Sequence, residues 1–168
     1  MSVGIVPGSF DPITLGHLDI VQRARGLFDE VIVGVATNHT KTPLLSVEER
    51  VRLIAGAVAD LTNVRVMAVN GLLVDFAHSF GATVLVKGVR SARDLLTEDV
   101  QAQVNYELGA VETVFLPSRP GLAFLSSSIV VEMAANGANI ASFVPDGVPD
   151  AVSEALAARR DAPTRTTG

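Results

Sequence analysis

The chain has no cysteine among its 168 residues. That excludes a disulfide framework, a thiolate metal site and a cysteine nucleophile. It has no basic excess either. Thirteen Lys and Arg against 18 Asp and Glu leave a net charge of −5, which argues against a general nucleic-acid binder. No apolar run is long enough to span a bilayer, and no basic flank leads into one at the N-terminus. A membrane span or secretory leader is therefore not expected, and a cytoplasmic address is the simplest reading. Two phosphate-binding strings are also missing. There is no Gly-x-x-x-x-Gly-Lys-Ser/Thr, and no Gly-x-Gly-x-x-Gly follows the first apolar run, so neither a P-loop nor a dinucleotide fingerprint is present.

What is there suits one domain with a substantial core. The chain is 48% hydrophobic and 18% charged, and a chain of this size hides roughly 70% of its unfolded surface. A single domain over 1–160 is expected, with 161–168 a polar, disordered tail. Short apolar runs at Val3–Val6, Glu30–Thr37, Val64–Val69, Ala82–Lys87 and Glu112–Leu116 read as strands. Between and after them, helical spacing covers Thr14–Phe28, Ser46–Leu61, Leu72–Phe80, Arg93–Leu108, the serine run through Gly137, and Val148–Arg159. Ser46 and Glu49 form a capping box, and Gly109 is placed as the C′ residue just past the fourth helix.

The strands show little alternation, as expected when both faces are covered. Strand and helix alternate, which predicts an α/β fold: a doubly wound, five-stranded parallel sheet with right-handed crossovers. Ligands of such sheets bind outside the carboxyl ends of the strands. The residues there are Gly8 and Ser9, then His17; Asn38, His39, Thr40 and Lys41; Asn70 and Gly71; Lys87, Gly88 and Arg90; and Ser118 and Arg119, before Ser126, Ser127 and Ser128. An acidic chain that handles anions must gather its few cations in one place. Lysines and arginines beside glycine and serine at helix starts describe a polyphosphate site.

Within it, Gly8-Ser9-Phe10-Asp11-Pro12 leads into Thr14-x-Gly16-His17. Gly16 leaves room for a phosphate near the backbone, and His17 sits in the first helical turn, aimed at the same space. Lys87 ends a buried run, where an unpaired charge is costly, and Arg90 follows three residues on. Asp11 reads as a turn residue, Arg93 as a solvated helix start, and His78 as a surface or packing residue. Asp75 and Glu132 read as ordinary helix carboxylates, and His39 has no metal-ligand spacing to any partner.

The stretches "PGSFDPITLGHLDIV", "LLSVEERVRLI", "LVKGVR" and "FLSSSIV" together resemble the phosphopantetheine adenylyltransferase family of the nucleotidylyltransferase superfamily, from Val3 to about Val144. The resemblance implies a Rossmann-like nucleotidylyltransferase fold. It implies an enzyme that joins ATP and 4′-phosphopantetheine to give dephospho-coenzyme A and pyrophosphate. Mg²⁺ would be held mainly by substrate phosphates and water, the assembly would be a homohexamer, and coenzyme A is a candidate feedback ligand. Ser9, Lys41 and Lys87 would hold the acceptor phosphate, and Gly71, Leu72 and Leu73 the pantetheine arm. His17 would meet the α-phosphate of ATP, and Arg90 and Ser126 to Ser128 the outer phosphates, while Phe10, Gly88, Asp94 and Glu98 frame the nucleotide; Ser9 would also contact ATP. His17, Lys41 and Arg90 are the catalytic set. The chain departs from the family pattern at Leu95-Leu96-Thr97, Tyr106 and Val131. Thr-x-Gly-His by itself leaves other nucleotidylyltransferases open, with nicotinamide mononucleotide, glycerol-phosphate or flavin substrates. A non-catalytic nucleotide-binding subunit is the reading from another class. Binding alone, however, does not need a group at the reacting phosphorus.

Overall fold

In a computed structural model of the chain, residues 1–37 and 42–161 are described; the expectations for Asn38 to Lys41 and for the tail at 162–168 lie outside them. Five strands, β1 (Val3–Gly8), β2 (Glu30–Val35), β3 (Val64–Ala68), β4 (Val84–Val89) and β5 (Glu112–Pro117), form one parallel sheet in the order β3-β2-β1-β4-β5. The helices are α1 (Leu15–Ala24), α2 (Val47–Ala57), α3 (Leu73–Ser79), α4 (Ala92–Gly109), α5 (Ser127–Ala135) and α6 (Val148–Asp161), with a 3₁₀ turn at Pro120–Leu122. The doubly wound parallel architecture is the one expected.

Alternate residues of the inner strands feed two cores. Val31, Val33, Val35 and Val86 pack with residues of α1, α2, α5 and α6. Ile5, Ile32 and Leu85 face the opposite way, onto Val74, Phe76 and Ala77 of α3. Coverage of both faces is complete only in the middle. β5 alternates between exposed and half-buried positions, and β3 is half-buried to exposed, because each is an edge with one neighbour. None of the 18 residues of α4 is buried.

Helix ends follow local chemistry. Ser46 Oγ accepts the Glu49 N–H at 3.2 Å and Glu49 Oε2 accepts the Ser46 N–H at 3.1 Å, the reciprocal cap foreseen for α2. The expected C-terminal position of Gly109 is corrected: Gly109 is the last helical residue, and Ala110 takes the left-handed conformation (φ 50°). Packing explains the glycine. A Cβ on Gly109 would lie 2.9 Å from Val74 Cβ and 3.1 Å from His78 Cε1. His78 itself is exposed, with its Cε1 bordering this contact.

Gly109→Ala is therefore expected to destabilise the fold. Overpacking costs about 1–3 kcal/mol, and the gain in helix propensity offsets about 1 kcal/mol of that. Urea unfolding should give a lower midpoint at unchanged slope; a raised midpoint would mean that α3 and α4 separate freely.

Candidate active site

The strand order runs outward from β1 through β2 and β3, then reverses through β4 and β5. At that switch point the carboxyl ends of β1 and β4 open a crevice. A cavity of about 320 Å³ lies there, lined from Gly8, Ser9 and Phe10 on one side to Lys87, Gly88 and Arg90 on the other. His17, Asp94, Glu98 and Ser126 to Ser128 complete the walls. A Cβ on Gly88 would come within 2.8 Å of Ile20 Cγ1, so glycine lets α1 close onto β4 beside the cavity. At Gly16 a Cβ would meet only ordinary contacts, the nearest protein atom outside its own turn being Leu122 O at 3.6 Å.

His17 is positioned by the start of its own helix. Thr14 caps α1: its hydroxyl accepts the His17 N–H at 3.3 Å, and its own N–H donates to His17 Nδ1 at 3.1 Å. This is a capping box with histidine in the place of Glu or Gln. It corrects the expected helix start, since Thr14 stands outside the helix as its cap. With Nδ1 accepting, the neutral ring carries its proton on Nε2 and can only donate there. The Phe10 ring, edge-on at 5.2 Å between centroids, fixes the imidazole from the side. Burial of the ring, and then the charges of Arg90 and Lys87, push its pKa down to about 4. At neutral pH His17 is a neutral hydrogen-bond donor.

The two cations of the cavity are held by carboxylates of α4. Arg90 makes a forked pair with Asp94, Nε to Oδ2 at 2.9 Å and Nη2 to Oδ1 at 3.0 Å, and Nη1 donates to the Leu125 carbonyl at 3.3 Å. The pairing raises the Arg90 pKa and lowers that of Asp94. Lys87 Nζ lies 3.0 Å from Glu98 Oε2. The three serines divide their tasks. Ser126 caps α5 by accepting the Ile129 N–H at 3.2 Å, and Ser127 Oγ donates to the Pro12 carbonyl at 2.8 Å. Ser128 lines the cavity without a side-chain hydrogen bond among the described residues. The N–H groups of the first turn of α5 add a partial positive charge to this wall.

Not every expected site residue meets here. Gly71 (φ 79°), Leu72 and Leu73 follow β3, two strands from β1, and do not line the cavity. Lys41 lies outside the described residues. Leu95 to Thr97, Tyr106 and Val131, where the chain departs from the family pattern, are not in the cavity wall either. Three features went unread in the sequence. Asp11 accepts the N–H groups of Leu44 and Leu45 at 2.7 and 2.9 Å. Arg50 is 2% exposed and reaches the Ser9 carbonyl. Buried Asp19 pairs with Arg23 at 3.2 Å and Arg119 at 2.9 Å, and Arg23 also donates to the Pro117 carbonyl. An arginine on the inner face of an amphipathic helix was the available signal for Arg50.

A family model described as cytidylyltransferase-like matches residues 5–133, from β1 through most of α5. A phosphopantetheine adenylyltransferase of Rubrobacter xylanophilus is 52% identical over 155 residues, covering 92% of this chain and 94% of that protein. The chain belongs to the phosphopantetheine adenylyltransferase family. Phosphopantetheine adenylyltransferases from Lachnoclostridium phytofermentans and Streptomyces coelicolor are each 47% identical, over 88% and 93% of this chain and 91% and 98% of theirs. A lipopolysaccharide core biosynthesis protein of Thermoplasma volcanium shares the fold at a TM-score of 0.53 and 23% identity, over 71% of this chain and 98% of that one.

The His17 ring is expected to titrate with a midpoint of about 4, well below the usual 6.5. Its folded pKa is depressed, so the unfolded chain binds the proton first as pH falls. The stability that His17 contributes is complete above about pH 6.5 and is lost progressively toward pH 4. Nitrogen NMR of the imidazole should show Nε2 protonated and Nδ1 bare at pH 7. A midpoint above 6, or the opposite tautomer, would contradict the capping geometry.

Proposed function

We propose that this enzyme transfers the adenylyl group of ATP to 4′-phosphopantetheine, releasing pyrophosphate and forming dephospho-coenzyme A. Family membership supports the reaction. The observation that carries the mechanism is a neutral histidine held as an Nε2–H donor beside two cations in the cavity at the switch point. The acceptor's phosphate monoester is already anionic near neutral pH, so its oxygen attacks the α-phosphorus directly and the bond to the pyrophosphate oxygen breaks. No side chain has to remove a proton or form a covalent intermediate. Catalysis is positioning and charge stabilisation. His17 donates to the α-phosphate oxygen as charge grows there. Arg90 and the first turn of α5, with Ser127 and Ser128, receive the outer phosphates. Lys87, Ser9 and Lys41 hold the acceptor phosphate, and Gly71 to Leu73 receive its pantetheine arm.

Magnesium fits this donor set as a partner of the nucleotide. The carboxylates of the cavity, Asp94 and Glu98, are engaged by Arg90 and Lys87, so the ion would be held by phosphate oxygens and water. When bound, it neutralises phosphate charge and polarises the phosphoryl oxygens. A cytoplasmic setting suits substrates of this kind, and no helix of the described residues is long and apolar enough to cross a membrane. Coenzyme A contains the product's phosphopantetheine and adenylyl parts, so it is proposed as a feedback ligand of the same cavity.

A homohexamer is proposed from the family's habit and from α4. Leu96, Val100, Val104 and Leu108 recur every four residues along that helix and are 47–72% exposed, forming one apolar stripe that a second copy would cover. Val100→Glu should lower the assembly's mass in sedimentation while leaving the circular dichroism intact. A wild-type chain that sediments as a stable 17.6 kDa monomer at micromolar concentration would reject the assembly.

Pyrophosphate release from ATP and phosphopantetheine with Mg²⁺ tests the reaction itself. Removing one donor from an enclosed site commonly lowers turnover by about 10²–10³-fold, roughly 3–4 kcal/mol. His17→Ala is expected to do so with little change in ATP affinity, since the bond strengthens mainly in the transition state. The wild-type profile should show no limb belonging to His17 near pH 6.5. Equal losses in turnover and ATP binding, or a limb that the substitution abolishes, would count against the donor role.

A further inference from the structure

Arg50 is the largest fully buried side chain among the described residues, 2% exposed. No ion pair joins it to a carboxylate among the described residues. Its charge is met instead by backbone carbonyls. Nη1 donates to Ser9 O at 2.7 Å and to Ala36 O at 3.1 Å, and Nε to Ser46 O at 3.3 Å. Burying a guanidinium on dipoles alone is expensive. An apolar side chain would fill α2's inner face more cheaply, so the charge and the fork of donors point to a task.

The carbonyls identify that task. Ser9 follows β1 and Ala36 follows β2, so one guanidinium spans the carboxyl ends of two neighbouring strands. From the other direction, the Asp11 carboxylate takes the N–H groups of Leu44 and Leu45. Ala36 is thus tied by Arg50, and Leu44 and Leu45 by Asp11. Both ties run to the Ser9–Asp11 turn. Arginine suits this because both carbonyls take the Nη1 hydrogens, whose directions are fixed by the guanidinium plane that Nε anchors on Ser46 O, whereas an ammonium turns freely.

We infer that Arg50 is a positioning residue for the acceptor half of the site: it sets the Ser9 turn at a fixed spacing from the carboxyl end of β2 at Ala36, so that Ser9 meets the acceptor phosphate. The inference rests on the proposed reaction for the identity of that phosphate. It makes Arg50 act through Ser9, without touching substrate. The ATP half shares Ser9 and Phe10 of this turn, but its outer-phosphate and nucleotide contacts, Arg90, Asp94 and Ser126 to Ser128, stand on β4, α4 and α5, beyond the reach of Arg50.

The test uses the full-length, assembled enzyme with Arg50→Gln, which removes the charge, and Arg50→Lys, which keeps the charge and loses the fork. Arg50→Gln is expected to raise KM for phosphopantetheine at least tenfold. KM for ATP and kcat per folded enzyme should stay within about threefold, and Arg50→Lys should fall between wild type and Arg50→Gln. A merely structural role would lower the folded fraction and leave both KM values unmoved; that result, or a parallel rise in both, overturns the inference. Hydrogen exchange supplies a readout without turnover. Faster exchange confined to residues 9–11, 36–37 and 42–46 upholds the clasp, and a uniform increase overturns it. If Arg50→Gln does not fold, Arg50→Lys carries both measurements. If the wild type releases no pyrophosphate from this substrate pair, the proposed reaction fails, and the exchange pattern still decides whether Arg50 holds the two segments.

Discussion

The hydrogen bond from the Thr14 N–H to His17 Nδ1 is the interaction on which the chemistry of this site depends. It belongs to the start of a helix, where unpaired N–H groups have to be satisfied. Solving that local problem with a histidine fixes the tautomer of the ring. One nitrogen is used by the fold, and the other is left as a donor for a ligand. Burial and two nearby cations keep the ring neutral, so the donor cannot double as an acid or base at neutral pH. The opening string of the protein therefore needs threonine and histidine three residues apart for structural and chemical reasons at once.

The cations obey a similar economy. Arg90 and Lys87 leave β4 into a cavity that would bind several phosphates. Without counter-charges they would repel each other and swing freely. Asp94 and Glu98, one turn apart on α4, hold each in place. The same helix turns Leu96, Val100, Val104 and Leu108 outward. One element thus carries the carboxylates that orient the site's cations and the apolar stripe that calls for a partner. A displacement of α4 at the surface would be felt at Arg90, because the helix moves as one body.

On the other side of the cavity, order comes from contacts that cross between loops. Arg50 and Asp11 reach in opposite directions between the β1 turn and the segment around α2's start. The loops at the strand ends are held by buried polar groups where apolar packing cannot reach, and an unpaired polar group there would be costly. Asp19 performs the same service for the residues after β5, through Arg23 and Arg119.

The sequence by itself determined the elements and the chemistry at their ends. Apolar runs, the Ser46–Glu49 cap and the order of strand and helix were enough for the parallel sheet, because each depends on neighbours within a few positions. Ser9, His17, Lys87, Arg90 and the serine run were legible because a parallel sheet places all strand ends on one side. The pairing of Arg90 with Asp94, four residues on, was within reach of helical spacing. Only the tertiary structure decided which ends meet at the switch point, why glycine stands at 109 with Ala110 left-handed, and that Asp11 is a clasp more than a turn residue. It also decided the exposure of α4 and the burial of Arg50. These features rest on contacts between segments far apart in the chain. Gly109 against Val74 and Arg50 against Ser9 are set by how helices pack on the sheet, and no local pattern encodes that distance.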